Sequence, residues 1–306
     1  MSTQIEPTLR EIATAQHGLV TTQQAHHAGM SAFALVQAVK DGALLHPGRG
    51  LYAVADLVDP GTAIPWHRAR AFGASLLWED AMLTSVSAVV AHEVPVWGAD
   101  LARVHVLRPL DRSVRMPSYR VRQWRGQPAV ETSLGPAVEL CHALAQHAVD
   151  HGMVPGVVSA DRALHAGLVT LPELRAAAEV VGTWRHGSRA LSMVSFANPL
   201  HESVGESRCA VTLALGGFVL EPQVEIRDRS GHLVGRVDFL VKGTNVIVEF
   251  DGRVKFESGD PSVLWAEKKR EDALRQLGYV VVRLTWADLE RPGAAVAKVR
   301  SAIAAA

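Results

Sequence analysis

The stretch from Arg236 to Asp251, RVDFLVKGTNVIVEFD, constrains the fold more than any other part of the chain. Val237, Phe239 and Val241 recur at every second position, as do Val246, Val248 and Phe250, which is the period of two strands. With Gly243 and Thr244 as the two central residues of a II′ turn, Lys242 lies opposite Asn245, and the register of the hairpin is fixed. Asp238 then lies opposite Glu249, and Arg236 opposite Asp251 as an expected ion pair. Facing Cβ atoms stand about 4.5–5.5 Å apart, where like charges repel, so Asp238 and Glu249 call for a counterion. Mg²⁺ or Mn²⁺ is the expected one. The other face of the hairpin is wholly apolar and suited to packing.

At 306 residues the chain is long enough for two or three domains with ordinary cores. Thirty-one basic residues balance 31 acidic ones, so any nucleic-acid binding must use local patches rather than a global field. Cys141 and Cys209 are far apart and form no CxxC pair, which excludes a zinc–cysteine site. The 14 histidines form no HExxH, and Ser203 and Ser207 lie in no GxSxG, so neither zinc peptidase nor serine hydrolase chemistry is indicated. No basic leader and no apolar run of about 18 residues is present, and a soluble cytoplasmic protein is expected.

Near the start, Ile5, Leu9, Ile12 and Ala13 recur at helical spacing up to Gly18. Thr21 and Gln24 have the spacing of a capping box, with Val20 and Ala25 as its hydrophobic staple, so a short second helix is expected to run to Gly29. Ser31 is placed to cap a third, from Ala32 to Asp41. It is expected to turn Ala32, Leu35, Val36 and Val39 inward and Ala34, Gln37, Ala38 and Lys40 outward. Two short strands, Ala43 to Leu45 and Leu51 to Val54, flank His-Pro-Gly-Arg-Gly. Three helices and a hairpin make a winged helix-turn-helix over residues 1–57, whose third helix enters the DNA major groove. Ser31, Gln37, Lys40 and the wing residue Arg49 are the candidate DNA contacts, with Gln37 suited to a base edge and Lys40 to phosphate. A structural or protein-binding winged helix is the alternative.

The run LVTTQQAHHAGMSAFALVQAVKDGALLHPGRGLYAV resembles the N-terminal domain of AbiEi-family antitoxins of type IV toxin–antitoxin systems. That resemblance implies a transcriptional autorepressor, with its own promoter and a cognate toxin as partners.

Residues 58–200 are expected to form a connecting α+β domain without chemistry of its own. Helical patterns cover Pro65 to Trp78, Ser85 to His92, Pro136 to His147, Ser159 to Ala166 and Pro172 to Val180; Val104 to Leu107 and Tyr119 to Trp124 look like strands. From Arg103 to Arg125 seven arginines meet one acidic residue, Asp111. Arg120 and Arg122, with Trp124 beside them, are candidates for a phosphate-binding surface; a solvated hairpin with outward arginines is the alternative.

In residues 201–306 the expected order is helix, strand, hairpin, helix, strand, helix, with the last strand returning parallel so that the sheet is mixed. On the second helix Arg270 falls in the middle of the apolar side formed by Val263, Ala266, Ala273, Leu274 and Leu277, with Glu267 at its edge. Charges on an inward face are costly unless paired, which points Glu267 and Arg270 at the carboxylates. The segments GESR, PQVEI, GRVDF, VEFDG, EKKRED and LGYVVVRLTW resemble a branch of the PD-(D/E)xK nuclease superfamily related to very-short-patch-repair endonucleases, over residues 201–290. This implies a restriction-endonuclease-like α/β fold, Glu206, Asp238 and Glu249 as Mg²⁺ ligands, and Gln223 and Arg270 in support. The superfamily lysine two residues after the glutamate is Asp251 here, leaving Lys255 or Lys269 to take its role. The expectation is a DNA-binding protein with a metal-dependent endonuclease-like tail; the alternative is a non-enzymatic repressor whose tail is inactive.

Overall fold

The computed structural model describes residues 5–252 and 261–305. Their contacts divide the chain into two compact units, Met1–Ser159 with Leu168–Val194, and Ala160–Gly167 with Ser195–Ala306.

The first unit begins with α1 (Pro7–Ala15), β1 (Leu19–Thr21), α2 (Thr22–His27), α3 (Ala32–Lys40), β2 (Leu44–Gly48) and β3 (Leu51–Val54). The capping box forms as the spacing predicts: Gln24 N–H donates to Thr21 Oγ1 at 3.1 Å, and Thr21 N–H to Gln24 Oε1 at 2.8 Å. Val20 and Ala25 are fully buried in the core that also holds Leu9, Leu35 and Leu44. The turn between α2 and α3 is closed by Met30 N–H on Ala25 O and by the His26 ring on Met30 O. The three strands form one sheet in the order β1-β3-β2.

There follow α4 (Ala63–Leu77), β4 (Met82–Leu83), α5 (Ser85–Ala91), β5 (Val104–Arg108), β6 (Val114–Arg115), β7 (Tyr119–Gln123), β8 (Ala129–Thr132), β9 (Gly135–Val138), α6 (Leu140–His151), α7 (Met153–His165), α8 (Leu171–Gly182) and α9 (Ser188–Phe196). The strands make a six-stranded sheet in the order β6-β7-β5-β4-β9-β8. One expectation fails here. Residues 135–138 are a strand rather than the start of a helix, because Ala137 pairs with Leu83 on one side and Val130 on the other. β5 and β7 run parallel, while β6 and β7 form an antiparallel hairpin inside the arginine-rich segment. Gly73 on α4 lets Leu19 and Leu51 of the N-terminal sheet pack close: a Cβ there would meet them at 2.9 and 2.7 Å.

The second unit has α10 (Val204–Leu215), β10 (Leu220–Arg227), β11 (Leu233–Val241), β12 (Val246–Phe250), α11 (Pro261–Gln276), β13 (Val280–Leu284), α12 (Trp286–Glu290) and α13 (Ala294–Ala305). The sheet order is β10-β11-β12-β13, antiparallel except for the parallel pair β12–β13. Phe239 pairs with Val248 and Leu240 with Ile247, the register read from the sequence. The turn differs: it closes through Thr244 N–H on Val241 O, so Lys242 and Gly243 are central, with Gly243 at φ 77°. Val237 and Phe239 point into the apolar cores of the unit, Phe239 with Cys209, Val248 and Leu284.

Candidate functional site

Ser31 caps α3, its Oγ accepting from Ala34 N–H at 3.1 Å. The face of α3 is rotated from the expectation. Leu35 and Ala38 are buried, whereas Ala32 is exposed, Phe33 is 79% and Val36 52% exposed. Lys40 is exposed beside them, but Gln37 donates to Asp41 Oδ1 at 2.8 Å and so is not a free reader. The solvent-facing side of α3 is therefore mainly apolar, with one cation. Arg49 is exposed in the two-residue turn between β2 and β3, where Gly50 takes φ 83°. The wing does not project far, since Ser118 Oγ donates to Pro47 O at its base.

In the second unit the register brings the expected polar residues onto one sheet. Pairing passes from Pro222↔Phe239 to Val224↔Val237, so Gln223 stands opposite Asp238, and extension of the β11–β12 register puts Asp238 opposite Glu249. Gln223 holds φ 53° in mid-strand, a left-handed conformation costing about 1–3 kcal/mol for a residue with a Cβ. That twist carries its amide to Glu206, with Nε2 donating to Oε2 at 2.9 Å. Glu206, 7% exposed, also accepts from Ser203 Oγ at 2.7 Å and from Glu202 N–H at 2.9 Å. Asp238 Oδ2 accepts from Phe250 N–H at 2.8 Å, taking a backbone donor from the neighbouring strand. Glu249 receives Arg270 Nη2 at 2.7 Å and lies 3.9 Å from Arg283 Nε. Gly235 makes room for Arg270, because a Cβ there would meet its Cδ at 3.0 Å. Burial pushes the Cys209 thiol up, and the charges of Asp238 and Glu206 add to the effect, so both carboxylates act on the same side chain of α10.

The like-charge conflict read from the hairpin is thus met by protein donors in this structure: Arg270 at Glu249 and a backbone N–H at Asp238. Arg283 was not singled out from the sequence, because its position on a valine-rich strand reads as a solvent-facing residue of β13. The Arg236–Asp251 pair is not formed. Arg236 bonds Glu202 at 2.8 Å, while Asp251 leaves the ladder, its N–H donating to Leu284 O and its buried Oδ1 having no hydrogen-bond partner. Lys269 is exposed on α11; Lys255 and the Glu267 side chain lie outside the described residues. The donor set is hard oxygen, which suits Mg²⁺. Among the described residues no group of three or more His, Cys, Asp or Glu side chains is placed to hold a metal ion; Glu206 accepts from Glu202 N–H, Ser203 and Gln223, and Glu249 from Arg270.

Arg120 and Arg122 do not stand outward on a solvated surface. Both converge on Asp150 of α6, which is 3% exposed by side chain: Arg120 Nη1 donates at 3.2 Å and Arg122 Nη2 more closely. Burial alone would raise the Asp150 carboxyl, but the nearby His105 ring, 3.4 Å away, and the Arg122 guanidinium outweigh it and hold the group well below the usual range. Trp124 is instead half-exposed, with Nε1 on Gln127 O.

Residues 7–55 match a family of proteins described as transcriptional regulator, AbiEi antitoxin. The match covers α1 through β3, the segment whose capping box, turn and strand pairing are set out above. A search of curated proteins found no match to this chain. Among the described residues no helix is long and apolar enough to cross a membrane.

Proposed function

We propose that the N-terminal segment binds duplex DNA as a winged helix and that the protein is a transcriptional regulator of the AbiEi antitoxin kind, acting at its own promoter beside a cognate toxin. The observation that carries the reading is the solvent-facing side of α3, whose capped N-terminus and exposed residues belong to the segment similar to that family. Ala32, Phe33 and Val36 offer apolar contact to thymine methyl groups, and Lys40 and Arg49 offer phosphate contacts that fix the register. Fluorescence anisotropy with duplex DNA from upstream of its reading frame tests it. The wild type should bind selectively and Phe33→Ser should lose selectivity. Lys40→Glu with Arg49→Glu should weaken all duplexes and flatten the salt dependence. Equal binding by these variants and the wild type would sink the proposal.

A second reading, phosphodiester cleavage by the C-terminal unit, is supported by the alignment of Glu206, Gln223, Asp238 and Glu249 across α10, β10, β11 and β12. It is tested with plasmid DNA and Mg²⁺ or Mn²⁺: nicking should occur and should vanish in Asp238→Ala. Absence of nicking, or equal nicking by the variant, leaves the regulator reading alone.

A further inference from the structure

The first unit contains a cleft of about 720 Å³ between the β5–β7 edge of the six-stranded sheet, α6 and the α8–α9 connection. Six guanidiniums line it, those of Arg115, Arg120, Arg122, Arg125, Arg185 and Arg189, against one carboxylate, Asp150. Asp150 is already spent, held between Arg120 and Arg122 with His105 Nδ1 3.4 Å away. Its role is to order the two half-buried arginines. Among the described residues Arg115, Arg125, Arg185 and Arg189 have no ion pair, and Arg122 Nη1 is buried without a hydrogen-bond partner. Arg189 is fixed instead by a hydrogen bond to Val149 O at 3.0 Å.

Such an arrangement is unfavourable when empty of anions, because guanidiniums sharing a half-enclosed cleft repel one another at reduced dielectric. Arg120 shows the strain: burial lowers its pKa, and the charges of Arg122 and Arg115 lower it further. Planar guanidiniums match phosphate oxygens in pairs, which a lysine cluster would not do. The half-buried Trp184 lies in the same lining, an aromatic surface on which a base can stack. The volume falls in the range of about 300–1,000 Å³ usual for small-molecule sites.

We propose that this cleft binds a phosphate ester of nucleotide size, with Arg115, Arg122 and Arg185 on the phosphate groups and Trp184 against the base. The proposal does not depend on the winged helix, whose DNA-facing residues are all on other elements.

Calorimetric titration of the full chain with ATP, and separately with a short 5′-phosphorylated oligothymidylate, tests it. Arg122→Ala would leave Asp150 buried without its closest partner, so the informative variants are the exposed Arg115→Ser and Arg185→Ser. Each should weaken binding about tenfold, the worth of a charge-assisted hydrogen bond, and leave duplex binding by the N-terminal segment unchanged. Saturable binding of ATP alone identifies a free nucleotide as ligand; binding of the oligonucleotide alone identifies a strand phosphate. Either supports the site when the variants weaken it. Failure of both ligands to bind at moderate salt, or binding that Arg115→Ser/Arg185→Ser leaves unchanged, overturns it.

Discussion

Lowering the pH from 7 to 5 should destabilise the first unit. His67 and His147 are fully buried. His67 Nδ1–H donates to Leu101 O at 2.9 Å and its Nε2 accepts from Ser87 Oγ at 2.9 Å, which fixes a neutral tautomer. Burial lowers its pKa to about 4, the Leu101 bond pulling weakly the other way. Burial, helped by His151 with its ring 5.0 Å away, lowers His147 to about 3. In each case the folded value lies below the unfolded 6.5, so the unfolded chain takes up the proton first. The stabilisation is complete above pH 6.5 and is lost as pH falls toward the folded pKa. At pH 5 linkage gives a loss of about 2 kcal/mol per histidine, about 4 kcal/mol for the two, against a typical total of about 5–15 kcal/mol. His105 and His151 are also lowered by burial and act in the same direction. Urea denaturation at the two pH values measures this by tryptophan fluorescence, with Trp265→Phe and Trp286→Phe in the background, since the other five tryptophans lie in the first unit. His67→Gln with His147→Leu should remove about 4 kcal/mol of the pH-dependent loss. If the wild type is equally stable at pH 5 and pH 7, or the double variant loses as much as the wild type, the assignment of buried neutral histidines is wrong.

Gly205→Ala should destabilise the second unit by about 1–3 kcal/mol, because the new Cβ would fall 2.0 Å from Phe250 Cε1, a clash larger than the helix-propensity gain of about 1 kcal/mol. Trp286, whose ring meets Phe250 edge-on at 4.8 Å, reports that unfolding by fluorescence. Glu249→Gln should cost about 1–3 kcal/mol by removing the charge that Arg270 Nη2 meets at 2.7 Å, read from the shift of the urea midpoint. Thr21→Ala should cost about 1 kcal/mol through loss of the α2 cap and should lower the thermal midpoint of the N-terminal segment in circular dichroism.

The sequence by itself determined those features that rest on neighbours in the chain. A capping box needs only Thr21 and Gln24 at the right spacing. The β11–β12 register needs only alternation and a short connection, so it emerged correctly although the turn inside it uses Lys242 and Gly243 rather than Gly243 and Thr244. The order of helices and strands in the last hundred residues, with its parallel final strand, follows from the same local periods and from the handedness of a crossover.

Tertiary structure decided what many competing partners could have satisfied. Seven of the nine residues of α3 are apolar, so helical periodicity could not fix its phase; packing against α1 and the N-terminal sheet buried Leu35 and Ala38 and left Phe33 and Val36 outside. Residues 135–138 became a strand because β4 and β8 offered backbone partners that lie far off or unsignalled in the sequence. Arg236 found Glu202 rather than Asp251, Glu249 found Arg270, and Arg283 found Glu271, because a charge settles on the nearest countercharge in space, at whatever separation in the chain. Arg120 and Arg122 show it most clearly: their spacing announces a basic strand, but only the fold brings Asp150 beneath them and turns a run of arginines into a cleft.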